Sequence, residues 1–203
     1  EVLTMEAVDG LPINDHQGLA DAGYDLDDIG RKLAWHYIKQ VAEDGFFHAD
    51  PHPGNLRVRD GKIVWIDLGM MGRITPRDRA LIKKAAGALA AHDIGELTDV
   101  VLTMGEIKGR INRARLFSDV DELVTRYGAA SLGGMNMARV MEALLDTARR
   151  HQIGMPPGLA LLSRGMATLE GVLAELSPGV DMMEIAASYA KSTLFDDVDW
   201  GKE

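Results

Sequence analysis

The spacing of apolar positions changes along this chain, and each change marks an expected element. Residues 2–8 alternate weakly between apolar and polar and end at Asp9-Gly10, a turn signal followed by Pro12, so a short strand running into a loop is expected. Over residues 25–44 the period becomes helical: Ile29, Leu33, Tyr37 and Val41 recur every four residues, Asp25 stands where a cap belongs, and Gly45 ends the run. That stripe predicts a helix with one face on a core. Residues 46–55 carry Pro51, Pro53 and Gly54, too many breakers for a helix or a central strand, and read as a loop. Residues 56–59 and 62–66 then flank Asp60-Gly61, the dipeptide that type I′ turns demand, and predict a β-hairpin.

After Thr75-Pro76-Arg77, an N-cap with proline at the first helical position, every segment is helical in pattern. Helices are expected at about 76–91, 94–104, 112–127, 137–151, 157–175 and 181–194. Gly105, Gly128, the Gly133-Gly134 pair, Gly154 with Pro156-Pro157, and Pro178-Gly179 separate them. The second half therefore reads as a helical bundle, with no fixed-period repeat and no low-complexity stretch.

Composition narrows the function classes. The 22 Lys+Arg against 31 Asp+Glu leave a net charge of −9, which opposes a broad electrostatic grip on nucleic acid or on an anionic membrane. The absence of cysteine excludes disulfides, Cys-ligated zinc and thiol redox chemistry, and fits a reducing compartment. No apolar run is long enough to span a bilayer, since Arg164 and Glu170 interrupt the most apolar segment. The 203 residues start at Glu1 in the middle of a strand-like pattern, so the chain reads as a fragment of something longer.

The densest polar cluster is His48-Ala49-Asp50-Pro51-His52-Pro53-Gly54-Asn55, followed after the hairpin by Asp67-Leu68-Gly69. Phosphoryl transfer needs a carboxylate to position the attacking hydroxyl and oxygen ligands for the magnesium that bridges the nucleotide phosphates. An Asp, four residues and an Asn supply the carboxylate, Asp50, and one ligand, Asn55, from one loop. A hairpin starting directly after the Asn brings Asp67 back to the same end of the sheet as a second, charged oxygen ligand. The protein-kinase pattern H-R-D-x-x-x-x-N, hairpin, D-F-G is matched in outline, with Ala49 for the Arg and Leu68 for the Phe.

The fuller wording, residues 2–10, Phe46-Phe47 through Asn55, and Ile66-Asp67-Leu68-Gly69-Met70-Met71-Gly72, resembles the UbiB family of atypical kinases, also called AarF-domain kinases. By motif the resemblance covers residues 1 to about 80. It implies an α-rich α+β fold, a protein-kinase-like C-lobe with a small β-hairpin and a helical bundle. Residues 1–10 would be the last N-lobe strand and hinge, with the rest of the N-lobe missing. Residues 11–203 would form the C-lobe, with catalytic loop, hairpin and metal-binding motif in 45–72 and the bundle in 75–195. Met5, Glu6 and Ala7 would meet the adenine of ATP, Asp50 would be the catalytic Asp, and Asn55 and Asp67 would hold Mg2+. The implied function is ATP-dependent kinase or ATPase chemistry supporting isoprenoid-quinone (ubiquinone-like) biosynthesis or lipid homeostasis. Implied partners are a lipid or quinone precursor, quinone-biosynthesis proteins and the missing N-terminal lobe, with no nucleic acid. The implied place is the cytoplasmic side, peripheral to a membrane. The phosphate-anchoring Lys, its Glu partner and the phosphate-covering loop cannot be placed in the sequence, so these 203 residues alone are expected to be inactive.

Other readings stay open. Asp50 could be an Asx-turn residue before proline and Asn55 a turn residue entering a strand. His48-x-Asp50-x-His52 could form a metal-ligand strip, although Pro51 and Pro53 oppose a strand there. His48 is expected to hold the loop, and His52 is open between a ligand and a structural hydrogen bond. The aminoglycoside phosphotransferase and choline kinase group has a similar loop, and a catalytically silent nucleotide-binding module would carry the same residues. Arg110, Arg113 and Arg115 read as a solvated helix start, and Met70, Met71, Met135, Met137 and Met141 as packing.

Overall fold

A computed structural model describes residues 2, 4–128 and 136–196. The elements run β1 (Leu11–Pro12), α1 (His16–Asp21), α2 (Leu26–Lys39), β2 (Phe46–His48), β3 (Leu56–Arg59), β4 (Lys62–Trp65), β5 (Met71–Arg73), α3 (Pro76–Ala90) and α4 (Ile94–Met104). Then follow β6 (Glu106–Ile107), α5 (Arg113–Gly128), α6 (Met137–Arg150), β7 (Ile153–Gly154), α7 (Pro157–Leu176) and α8 (Met182–Asp196). The helices of the second half thus lie where the breakers predicted. The Gly133-Gly134 separator and Met135 fall outside the described residues.

Helix α2 begins as expected, with the Asp25 carboxylate accepting from the Asp27 and Asp28 amides. It does not stay α-helical to residue 44. Residues Gln40–Asp44 widen into a π turn that ends at Gly45 with φ 62°. The wider turn has a use: the Gln40 side-chain oxygen accepts from the His48 amide at 2.9 Å. The hairpin forms as expected, Leu56 opposite Trp65 and Arg59 opposite Lys62, with Asp60 at φ 52° and Gly61 at φ 69°.

Four local features depart from the sequence pattern. Residues 4–10 form no strand; the first ladder is Leu11–Pro12 against Val58 and Arg57, because the described chain offers no neighbour to pair the earlier segment. Residues 46–55 are not all loop, since Phe46–His48 pairs antiparallel with β5 before the first proline, and Pro53–Asn55 closes a 3-10 turn. Helix α1, capped by Asp15, was not foreseen. Nor is the region beyond residue 76 wholly helical: β6 pairs with β7 and clasps the α4–α5 connection to the α6–α7 connection. The breakers Gly105 and Gly154 belong to this clasp, and a side chain on Gly105 would overlap Ile153.

Among the described residues two large buried cores form, beside a small third cluster at Leu123 and Val140. One joins Leu33 and Tyr37 of α2, Phe47 of β2, Leu56 and Val58 of β3, and Leu162, Met166 and Leu169 of α7. The other joins Leu97 and Val101 of α4, Leu116 and Val120 of α5, Ala148 of α6 and Ile153 of β7. Met70, Met137 and Met141 pack on the first core, in keeping with their reading as gap-fillers. Helices α7 and α8 pack on α2 rather than lying wholly in the second half, so the sheet and the long helices share one interior.

At the α5–α6 contact, His151 Nε2 lies 2.8 Å from an Asp119 carboxylate oxygen, and this bond lowers the Asp119 pKa. A depressed carboxylate contributes stability that is present above its unfolded-state pKa and lost as pH falls through the folded-state value. Asp119→Asn is therefore expected to lower the melting temperature at neutral pH and to make it less sensitive to acid below about pH 4 than the parent. Thermal melts across pH 2–7 check this, and parallel curves would remove the bond from the stability account.

Candidate active site

The polar loop is held almost entirely through its backbone. His48 sits at the end of β2, 1% exposed, with both ring nitrogens engaged. Its Nδ1 accepts from the Asp50 amide at 3.2 Å, which puts the hydrogen on Nε2, and Nε2 donates to the Asp67 carbonyl at 3.1 Å. One imidazole thus ties the loop carrying Asp50 to the segment carrying Asp67. Trp65 lies against this imidazole, with ring centroids 5.5 Å apart, and also stacks on Tyr37 at 6.3 Å. The Ala49 amide adds a bond to the Met70 carbonyl at 3.0 Å.

Asp50 is fixed from three sides without using its carboxylate. Its amide bonds to His48, and its carbonyl accepts from the His52 amide at 2.7 Å and from Asn55 Nδ2 at 3.1 Å. The Asx-turn reading required the side chain to take the turn amide; the backbone carbonyl takes it instead. The half-buried carboxylate carries no hydrogen bond among the described residues, so it remains available to a ligand.

Asn55 is oriented by the same contact. Its amide nitrogen is spent on Asp50, which leaves Oδ1 as its acceptor end, and its backbone carbonyl accepts from the Ile66 amide at 2.9 Å. That bond closes the base of the hairpin and sets Asp67 one residue beyond. Asp67 is exposed and left-handed, with φ 57°, a conformation that Asp adopts more readily than most residues. Its Oδ1 accepts from the Gly69 amide at 3.2 Å. The donor types suit magnesium: one carboxylate and one oriented amide oxygen, both hard oxygens. Among the described residues no three His, Asp or Glu side chains are grouped to hold a metal by themselves.

The metal-strip reading of His48, Asp50 and His52 fails, because His48 is buried with both nitrogens bound to backbone groups. His52 is exposed and accepts from the Gly54 amide at 3.1 Å, which caps the 3-10 turn.

Of Met5, Glu6 and Ala7, Glu6 has a contact with the hairpin. Glu6 pairs with Arg59 at 2.8 Å, at the turn end of β3, and Met5 is 59% exposed. Asn55 precedes the other end of the same strand, roughly 13 Å of extended chain from Arg59. A groove of about 620 Å³ between α6 and α7, lined by Arg139, Glu142, Arg164 and Glu170, is not part of this cluster. Gln40 and the Tyr37–Trp65 stack were not singled out as parts of the site from sequence. Tyr37 did carry a signal as a member of the α2 apolar stripe, whereas nothing in the pattern marks Gln40.

A helix-rich α+β chain in which a His-x-Asp loop, an Asn and an Asp-Leu-Gly segment meet at the base of a hairpin defines a kinase-like fragment. The ABC1 atypical kinase-like domain model matches residues 1–101, and the UbiB helical domain model matches residues 120–181. The chain belongs to the UbiB family. It is 34% identical over 192 residues to an uncharacterized protein from the hydrogenase 1 5′ region of Clostridium pasteurianum, covering 95% of this chain and 36% of that protein. It is 33% identical over 175 residues, and 27% identical over 192 residues, to two uncharacterized proteins of Synechocystis sp., covering 83% and 94% of this chain and 43% and 33% of theirs. The chain therefore spans about a third to two-fifths of the length of these relatives. Among the described residues no helix is long and apolar enough to cross a membrane.

Proposed function

We propose that this chain carries the catalytic loop and metal-binding motif of an ATP-dependent UbiB-type kinase or ATPase, whose phosphate-anchoring lobe lies upstream. The observation that carries the proposal is Asp50: its backbone is held by three bonds, one of them from Asn55, while its carboxylate is left unbonded, and the His48 ring ties this loop to the Asp67 carbonyl. Asp50 would accept the hydrogen bond of an attacking hydroxyl or water and aim its oxygen at the terminal phosphate. Asn55 Oδ1 and the Asp67 carboxylate would hold magnesium, which would neutralise the charge of the nucleotide phosphates. His48 would keep the two segments in register. The backbone at Met5, Glu6 and Ala7 would meet the adenine.

Family membership extends the proposal to a role in isoprenoid-quinone biosynthesis or lipid homeostasis, with a lipid or quinone precursor as partner, peripheral to a membrane on its cytoplasmic side. The test is Mg-dependent release of phosphate from ATP by the full-length protein, alone and with candidate lipids. Nucleotide binding without turnover in every condition would replace this proposal with the silent module.

Asp67→Asn separates ligand from scaffold. Asn tolerates the left-handed backbone nearly as well as Asp, so the fold should survive while the ligand charge is lost. Mg-dependent nucleotide affinity or turnover in the full-length protein is expected to fall by on the order of tenfold or more, the scale of a lost charge-assisted contact. The melting temperature should stay within a few degrees. Collapse of the melting temperature with unchanged nucleotide behaviour in the surviving folded protein would make Asp67 structural.

A further inference from the structure

Helix α7 meets the loop carrying Asp50 at one glycine. A Cβ on Gly165 would overlap the Tyr37 hydroxyl and would stand 3.2 Å from the His48 carbonyl oxygen and 3.4 Å from Ala49 Cα. Few of these neighbours can retreat. Ala49 is fully buried with its amide bonded to Met70, and Tyr37 is 1% exposed with its ring held between Phe47 and Trp65. The Tyr37 hydroxyl has no hydrogen-bond partner among the described residues, an arrangement that ordinarily costs stability. Burial raises its pKa, so the phenol stays neutral. Its oxygen occupies the notch that the missing side chain leaves on α7.

We propose that Gly165 is a positioning residue: the notch lets α7 seat directly against the Tyr37 hydroxyl and the His48–Ala49 backbone, and so sets the position of Asp50. This rests on the kinase or ATPase function proposed above. The link to the chemistry is short, because Asp50 follows Ala49 and its amide bonds to the His48 ring. A methyl group at position 165 would wedge α7 away or push the loop outward, and small displacements of an orienting carboxylate lower turnover far more than nucleotide binding.

In the full-length protein, Gly165→Ala is expected to lower Mg-dependent turnover at saturating ATP by about tenfold or more while KM stays within about threefold. Adding Tyr37→Phe withdraws the oxygen that the new methyl would meet, and is expected to restore most of the lost turnover. Amide exchange at Ala49 and Asp50 should follow the same order, faster in Gly165→Ala and slowed again in the double variant. A folded Gly165→Ala protein with parental turnover and exchange overturns the proposal, as does a double variant no better than the single one. If Gly165→Ala fails to fold, the double variant decides: a folded, active double variant supports the notch, and a second failure overturns it. Should the parent turn over no ATP, the proposed function fails by itself, and the exchange pattern alone decides whether Gly165 positions the loop.

Discussion

Replacing Asp50 by Asn in the full-length protein is expected to leave Mg-ATP affinity within a few-fold and to reduce turnover by on the order of a hundredfold or more, the scale of general-base or orienting groups. The geometry makes this a clean substitution. All three hydrogen bonds that hold residue 50 use its amide and carbonyl, so changing the side chain leaves the loop anchored. Asn55→Ala is the companion variant. It removes the amide oxygen offered to the metal and the bond to the Asp50 carbonyl, so nucleotide affinity should fall along with turnover. Calorimetric titration with Mg-ATP and steady-state phosphate release distinguish the two. Asp50→Asn hydrolysing ATP as fast as the parent would remove Asp50 from the chemistry, and identical profiles for both variants would defeat their separate roles.

The second large effect concerns stability. Phe47 is completely buried between the loop and α2, its ring edge-on to Tyr37 at 6.3 Å, and it stands opposite Gly72 in the β2–β5 ladder. Gly72 has to be a glycine here, since a Cβ would overlap the Phe47 ring. Phe47→Ala should therefore leave a cavity that neither the ladder nor the aromatic stack can close, at a cost of about 3–5 kcal/mol. For a domain of this size that is on the order of 10 °C in melting temperature. Phe46, the neighbouring ring, is 39% exposed with Arg73 over its face at 4.7 Å, and Phe46→Ala is the control expected to cost far less. Equal shifts for the two variants would mean that the ladder register, which separates the buried ring from the exposed one, is not what anchors this loop.

Much of this is legible in the sequence. Asp25 and Gly45 bracketed the first long helical run, Asp60-Gly61 fixed a hairpin whose two turn residues both have positive φ, and prolines and glycines divided the second half into its helices. These are local choices: a cap, a left-handed turn or a missing amide is decided within a few residues, whatever surrounds it. The spacing of Asp50, Asn55 and Asp67 was legible for a similar reason, because a hairpin necessarily returns the chain to where it began. The likeness of residues 2–10, 46–55 and 66–72 to the UbiB family agreed with the two matching family models.

What the sequence could not state is what each residue leans on. The expected strand at 2–8 is absent because a strand needs a partner, and the described chain provides one only at Leu11–Pro12. The loop expected over 46–55 contributes a ladder because β5, more than twenty residues later, comes back beside it. The π turn at Gln40 is read only through its bond to His48, and the β6–β7 clasp only through the pairing of residues nearly fifty apart. By itself the sequence determined which residues punctuate the chain and which oxygen-bearing side chains gather at a hairpin base. The tertiary structure alone decided that one buried imidazole joins the two halves of that site, that the Asp50 carboxylate is left unbonded, and that α7 meets the loop at Gly165. Those outcomes depend on excluded volume and hydrogen-bond partners from distant segments, which short-range pattern does not encode.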